Sequence, residues 1–448
     1  MSGLVSLGLR NLLRSPRRTA MTLLSLVVGS AGLVYTLGYM NRVERYLREV
    51  QIHLLQTGHI SVYSAPGYDL ARIRPQLASF DPDEQARMRA VFEADPAVER
   101  VVPLLLGAGM ATNGCESVPF DAIGVDPAQL KIAYSNPALN EEADELIPPE
   151  AGVSLWELEG AEAPVVVTPG LAALLGKTAV RGAATRADPS FVDCAAADKS
   201  AKIAEDAWVQ LAGRRWDGGL AVLDAEIGGR FRTGFTEYEN GLLMAPLPLL
   251  QRFYGTDDVS AYAVFLHDPD DVEDVRARLD AALHAAGLQV VTYPWWSPIT
   301  SPNYTSMVPL VQVMAGFILV IMLCVVSLSV ANAMTMSLLE RLREIGTLRA
   351  IGFTPRHVLG VVLVEAAALA IVGAAVGIAV GLAMGAAVNA SDLRYEPPAI
   401  AGSLQFMVRP TPSRVLASAA LVVGLSLVST LLVARRQLGR RVVDLLQS

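Results

Sequence analysis

Residues 307–339 read MVPLVQVMAGFILVIMLCVVSLSVANAMTMSLL, and no charged side chain interrupts them. A helix needs about 20 apolar residues to cross the hydrocarbon core of a bilayer, so this stretch reads as a membrane span. Three others qualify. Residues 19–41 and 415–434 carry no charge, and residues 358–388 carry a single one, Glu365. The first exceeds the roughly 7–15 apolar residues of a secretory signal and lacks a small-x-small cleavage site after it, so it is read as an uncleaved anchor.

Arginines orient the four spans. Arg10, Arg14, Arg17 and Arg18 precede the first, Arg341, Arg343, Arg349 and Arg356 lie between the second and third, and Arg435, Arg436, Arg440 and Arg441 follow the fourth. The positive-inside rule places all three clusters in the cytoplasm. The expected order is a cytoplasmic or interfacial N-terminal helix (1–18), the first span (19–41), an outer stalk and domain (42–306), the second span (307–339) and a cytoplasmic coupling helix (340–357). The third span (358–388), a short outer loop (389–414), the fourth span (415–434) and a cytoplasmic tail (435–448) complete it.

The formal net charge of −8 conceals a division, because residues 42–306 carry 21 Lys and Arg against 38 Asp and Glu. So acidic an outer domain argues against long-range attraction to nucleic acid or anionic headgroups. Within it, Val43, Leu47, Val50 and Leu54 recur at helical spacing on a stalk that lifts the domain off the bilayer, a stripe that fits helix pairing but is too short to distinguish it from ordinary packing. Gly58 ends that helix. Strand signals at residues 60–63, 98–106, 165–167, 261–266 and 289–292 alternate with helical ones at 83–94 and 272–286. This mixed order predicts an α+β domain, not a doubly wound sheet. The acidic residues 140–163 and the polar residues 183–202 read as loops or a subdomain junction. Trp295, Trp296 and Tyr304 precede the second span as interfacial aromatics would.

Of three cysteines, Cys324 falls inside the second span, where packing is its expected role. Cys115 and Cys194 fall in the outer domain, where an oxidising compartment permits a disulfide, although sequence does not show that they meet. No Cys or His spacing suits a metal. Asp268, Asp270 and Asp271 open a helix at Val272, which accounts for that acidic cluster through capping and the dipole. Residues 170–178, GLAALLGKT, have five residues between the glycines where a phosphate-binding loop needs four. No nucleophile and base are arranged for catalysis, and no enzyme is expected.

In the third span, Gly373, Gly377, Gly381 and Gly385 form a ladder along one face, a device for close backbone approach where lipid supplies no hydrophobic drive. The packing partner is either another span of the same subunit or a second subunit. Glu365 lies about two turns from the span's inner end, deep enough for a transport role and near enough to the surface to snorkel or pair.

Residues 340–357 read ERLREIGTLRAIGFTPRH. Leu342, Ile345, Leu348 and Ile351 make a narrow apolar stripe with charged flanks. Gly352 suits the position just past a helix, and Thr354-Pro355 a cap and first turn. A juxtamembrane anchor that only sets topology needs neither the glycines nor the paired acid and base. This segment closely resembles the coupling segment of the FtsX-like permease family, which includes lipoprotein-releasing permeases and the membrane half of MacB-type exporters. Residues 11–19 before the first span, Gly58 to Val62, Gly124 to Pro127, residues 165–176 and 228–234, and residues 440–446 extend the resemblance over nearly the whole chain, towards the lipoprotein-releasing (LolC/LolE-like) branch. Residues 183–202, which include Cys194, do not align.

The resemblance implies a permease subunit of the bacterial inner membrane. Arg343, Glu344, Ile345, Gly346, Leu348, Arg349, Ile351 and Gly352 would dock into a separate cytoplasmic ATPase that binds ATP and Mg, leaving this chain without a cofactor. It further implies a second permease subunit, identical or similar, mechanical transmission to the outer domains, and lipoprotein cargo with a periplasmic carrier. Export of a peptide, siderophore or drug, and FtsX-like control of cell-wall hydrolases, are the alternative tasks.

Overall fold

The computed structural model describes residues 16–65, 67–158, 160–181, 193–340, 342, 345–347, 354–397 and 400–438. It divides into two units, one holding most of the long helices and the other comprising residues 45–307 and 395–404.

Four helices among the described residues are long and apolar enough to cross a membrane. They run Pro16–Glu49, Pro302–Glu340, Pro355–Asn389 and Pro412–Leu438. Each begins at a proline, whose missing N–H costs nothing in a first turn and whose fixed φ suits one. Thr354 precedes Pro355 with extended backbone, as read from the sequence, but its hydroxyl bonds the His357 ring at 2.8 Å and not a backbone N–H. One buried cluster, including Leu26, Leu33, Val326, Val330, Leu369 and Val422, draws on all four helices. Hydroxyl pairs join neighbours, Ser329 to Ser25 at 2.9 Å and Ser327 to Ser429 at 2.7 Å. Cys324 departs from expectation, because its side chain is exposed on the surface of its helix.

The second unit is α+β, as expected. Strands β1 (Ile60–Ser64), β2 (Val98–Thr112), β3 (Ser117–Val125), β4 (Ala151–Gly152), β5 (Pro164–Val167), β6 (Trp208–Arg214), β7 (Leu220–Arg230), β8 (Leu242–Pro246), β9 (Ala261–Leu266) and β10 (Val290–Pro294) form it. Strands β10, β1, β9 and the first half of β2 make an antiparallel sheet. All six residues of β9 are buried. Helix Val272–Ala285 packs on this sheet through Val272, Val275, Leu279 and Leu283, a stripe at helical spacing. Helix Pro82–Ala94 joins it with Phe92, whose ring lies 5.6 Å from that of Tyr262. Asp81 and Glu84 close a capping box at its start.

Beyond Leu104, β2 leaves β9 and pairs instead with β3 and β6. From there the pairing runs β2–β3–β8–β5–β7–β6 and returns to β2, a closed ring of six strands. The β3–β8 and β5–β7 pairs are parallel and the others antiparallel. Closure removes free edges. The buried cluster inside the ring takes residues from all six strands and is capped by Leu249, Leu250, Phe253 and Tyr254.

Two readings of the sequence need correction here. The stripe on the first helix is not a free pairing surface, since Leu47, Val50 and Leu54 are all buried within the second unit. Arg45 anchors this end by reaching Glu142, a fully buried carboxylate, at 3.1 Å. Trp295 is not an interfacial residue either. It is buried, edge-on to Trp296 at 5.3 Å and Tyr304 at 4.7 Å. The acidic residues 140–163 hold short helical turns and β4. Residues 1–15, 182–192 and 439–448 of the predicted N-terminal helix, polar stretch and tail lie outside the described residues.

After the helix, Gly58 takes φ +67°, and a Cβ there would stand 2.7 Å from the Val264 carbonyl oxygen. This turn delivers His59 into the sheet, where its Nδ1 accepts a hydrogen bond from the Leu266 N–H at 3.0 Å. Burial, reinforced by Arg48 and Arg100, holds His59 down at about 4. A histidine depressed in the fold favours the folded state fully above its unfolded value of about 6.5 and loses that contribution as pH falls towards 4. Acidification from pH 7 to 5 should therefore cost about 2 kcal/mol through His59. Denaturant titrations of wild type and His59→Asn at both pH values check this, the variant showing the shallower dependence.

Cys115 and Cys194 are joined in a disulfide that closes a loop with a sequence separation of 79. Replacing both by serine should destabilise the domain by roughly 2–5 kcal/mol, the usual cost of losing such a link. The midpoint of chemical unfolding, with and without reductant, measures it.

Candidate functional site

The residues assigned to coupling follow the second span. Arg343, Glu344, Leu348, Arg349, Ile351 and Gly352 lie outside the described residues. Ile345 and Gly346 are described, both helical and buried, with Thr347 exposed beside them. Ile345 packs with Leu338, Val358 and Ala434, which belong to the second, third and fourth long helices. Its side chain is thus turned into the helical unit. An isoleucine buried at the root of a short segment fixes where that segment leaves the helical unit. A charged or polar residue at this position would break that fix.

The glycine ladder finds its partner within the same chain. A Cβ on Gly373 would stand 2.6 Å from Cβ of Leu26, and one on Gly377 2.7 Å from the carbonyl oxygen of Val27. At Gly381 the neighbour is the Ala31 carbonyl oxygen at 3.0 Å, and at Gly385 it is Val408 at 3.4 Å. Three of the four glycines therefore seat the third span against the first, Gly377 and Gly381 directly on its backbone. Gly29 and Gly32 of the first helix repeat the device, with Val326 and Met322 of the second in the space a side chain would need. Glu365 is buried inside the helical unit, 6% exposed, next to Ala366 in the shared cluster. Residues 345–347 thus lead into a bundle whose helices approach closely and which holds the Glu365 carboxylate in its interior.

At the outer ends of the spans, Glu44 pairs with Arg414 at 2.6 Å and accepts a hydrogen bond from Gln312 at 3.1 Å. Asn41 donates to the Arg409 carbonyl at 2.9 Å. These polar ties link the first helix to the second and to the segment leading into the fourth. The sequence reading passed over them, because Glu44 and Arg414 are far apart in the chain and each is unremarkable alone.

The FtsX-like permease C-terminal family model matches residues 316–441. The MacB-like periplasmic core domain model matches residues 19–282, more than half of the chain. The chain belongs to the FtsX-like, MacB-type permease family. Among curated relatives, the lipoprotein-releasing system transmembrane protein LolC of Xylella fastidiosa strain Temecula1 is 24% identical over 147 residues, covering 33% of this permease and 34% of the relative. The same protein of strain 9a5c is 25% identical over 147 residues. The matched stretch thus spans about a third of the length of these relatives.

Two of the similar solved structures are periplasmic or extracellular regions of transporters. One is the extracellular domain of the noncanonic ABC-type transporter YknZ from Gram-positive bacteria, with 16% identity, TM-score 0.32, and 52% of this chain and 98% of that one covered. The other is the periplasmic region of MacB from Actinobacillus actinomycetemcomitans, with 9% identity, TM-score 0.32, and 55% and 94% covered. The permease is a membrane protein with a periplasmic-type domain inserted after its first span.

Gly377→Leu should force the first and third helices apart and lower stability by about 1–3 kcal/mol. Gly316→Leu is the control, because a Cβ there meets nothing within 4 Å. Thermal unfolding in detergent should show a lowered midpoint for the first variant only.

Proposed function

We propose that this permease works with a separate cytoplasmic ATPase, which binds ATP and Mg, and that it transmits ATP-driven motion to its outer domain to release lipoproteins from the inner membrane. The observation that carries the reading is the segment of residues 340–357. Its charge and glycine pattern, and the permease match that spans it, support reading it as a docking surface. In this reading both termini and the coupling segment are cytoplasmic, and residues 42–306 are periplasmic. Arginine placement supports that orientation.

The role of each part follows from its physics. Glu344 and Arg349 would pair with charges on the ATPase, while Gly352 lets its surface approach the backbone and Gly346, buried beside Ile345, leaves room for the segment to seat on the spans. Ile345 anchors the segment to three spans, so a push on the segment becomes a push on the bundle. Helices seated by glycine at backbone distance move together, because little compressible side chain lies between them. The first helix continues unbroken into residues of the outer domain, where Arg45 holds Glu142. Work done below the membrane thus has a continuous helix along which to travel. A second permease subunit, identical or similar, would complete the transporter, and a periplasmic carrier would receive the lipoprotein.

The lipoprotein assignment rests on the LolC likeness. The MacB-like match over residues 19–282 favours a second reading, export of a peptide or small molecule, which would require a periplasmic adaptor and an outer-membrane channel.

Co-purification in mild detergent with candidate ATPases tests the coupling role. Wild type should retain one ATPase, and Glu344→Lys and Gly346→Trp should each lower the retained amount at least tenfold while the permease stays monodisperse. Correctly inserted wild type that retains none would overturn the reading.

A further inference from the structure

The outer domain contains a cavity of about 110 Å³, bounded by residues of β1, β2, β3, β8 and β9 and by the turn after the first helix. Its walls are mainly apolar or aromatic, with Leu104, Leu106 and Ile123 among the aliphatic residues and the rings of Tyr63, Tyr68 and Tyr238 among the aromatic ones. Tyr63 and Tyr68 stand edge to face, 5.3 Å apart. Arg72 and Asp121 also border the cavity, both with exposed side chains.

Two polar residues lining this cavity are left incomplete. Gln56 is fully buried and Thr300 is 4% exposed, yet Gln56 Oε1 and Thr300 Oγ1 have no hydrogen-bond partner. The Gln56 carboxamide is not free to turn towards water, because its Nε2 donates to the His53 carbonyl. Its backbone is also held at φ +58°, a conformation that side chains other than glycine seldom adopt. A buried acceptor kept without a donor is costly in a finished core. Gln56 and Thr300 are therefore arranged for something that enters.

The chemistry narrows what that is. Gln56 Oε1 requires a donor, which excludes a carboxylate or phosphate. The buried lining offers no counter-charge for an ammonium group, since Asp121 is exposed. A neutral hydroxyl meets both needs, as it donates to the carboxamide oxygen and accepts from the Thr300 hydroxyl. Tyrosine walls favour an aromatic body, packed edge to face or offset. A cavity of about 150 Å³ takes up benzene, so a somewhat smaller one with a mouth accepts a single ring. We propose that this cavity binds a phenolic group, with the ring against the tyrosine wall and the hydroxyl on Gln56 and Thr300. The group belongs either to a free phenolic compound or to a tyrosine side chain of a polypeptide that visits the outer domain.

Saturation-transfer NMR on the full-length permease in lipid nanodiscs tests this, with phenol and N-acetyltyrosine amide as probes. Benzene and N-acetylphenylalanine amide serve as the partners lacking the hydroxyl. Ala261→Leu fills the cavity from β9 without touching a polar group, and Thr300→Val removes one hydroxyl at nearly constant shape. Wild type should bind at least one phenolic probe at least fivefold more tightly than its deoxy partner. Ala261→Leu should abolish the signal above the lipid background, and Thr300→Val should erase the preference for the hydroxyl. Binding of the amide points to a polypeptide source and binding of phenol alone to a small molecule, and either supports the proposal. Equal signals from wild type and Ala261→Leu, or a cavity that holds water only, would overturn it. Retention of the ATPase is a separate readout, so failure here leaves the coupling role intact and the reverse also holds.

Discussion

A peptide group left unpaired in hydrocarbon costs several kcal/mol, and this penalty shapes the membrane part of the chain more than any other term. It allows the four apolar segments to be nothing but helices. It leaves their association to be driven by something other than hydrophobicity, because lipid is as apolar as leucine. The solution here is close backbone contact. Gly373, Gly377 and Gly381 bring the third helix onto Leu26, Val27 and Ala31 of the first, and Gly29 and Gly32 bring the second onto the first from another side. Serine pairs add hydrogen bonds where the helices already touch. The result is a bundle in which little can slide without disturbing the whole, a property suited to passing on a mechanical push.

The outer domain solves a different problem with one long strand. β2 is shared, its first half bound to β9 in an antiparallel sheet and its second half to β3 and β6 in the six-stranded ring. Two hydrophobic layers thus hang on a single strand, and the cavity with Gln56 and Thr300 lies between them. Gly107 and Gly109 make the passage possible. A Cβ on Gly107 would collide with the Tyr254 ring and one on Gly109 with Phe120. The same glycines break the alternation of large apolar residues, so the strand read from the sequence stops at residue 106 while the real one runs to Thr112.

That example shows how legibility divides along the chain. Strands of β-branched and aromatic residues, such as 261–266, and helices with a capping acid or a first-turn proline are readable, because the signal and its cause are both local. The ring was not readable, because its closure depends on β6 meeting residues of β2 that lie more than 90 positions away in the chain. The stripe at Val43, Leu47, Val50 and Leu54 had the right spacing but an ambiguous meaning. Periodicity identifies a buried face and says nothing of what buries it. Trp295 was misread for the same reason, since an aromatic beside a span can face the interface or the domain core.

The sequence by itself determined that the chain crosses a membrane four times, that a large acidic α+β domain follows the first span, and that residues 340–357 carry the pattern of a coupling segment. Each of these is written in runs of neighbouring residues, through length, charge and period. Only the tertiary structure decided that Cys115 bonds Cys194, that the glycine ladder packs against the first helix of the same chain, that Ile345 faces inward, and that Gln56 Oε1 and Thr300 Oγ1 stand without hydrogen-bond partners in residues lining one cavity. Those facts belong to pairs of residues distant in sequence. No local propensity encodes such a pairing, because it exists only once the chain has closed its loops and buried what lies between them.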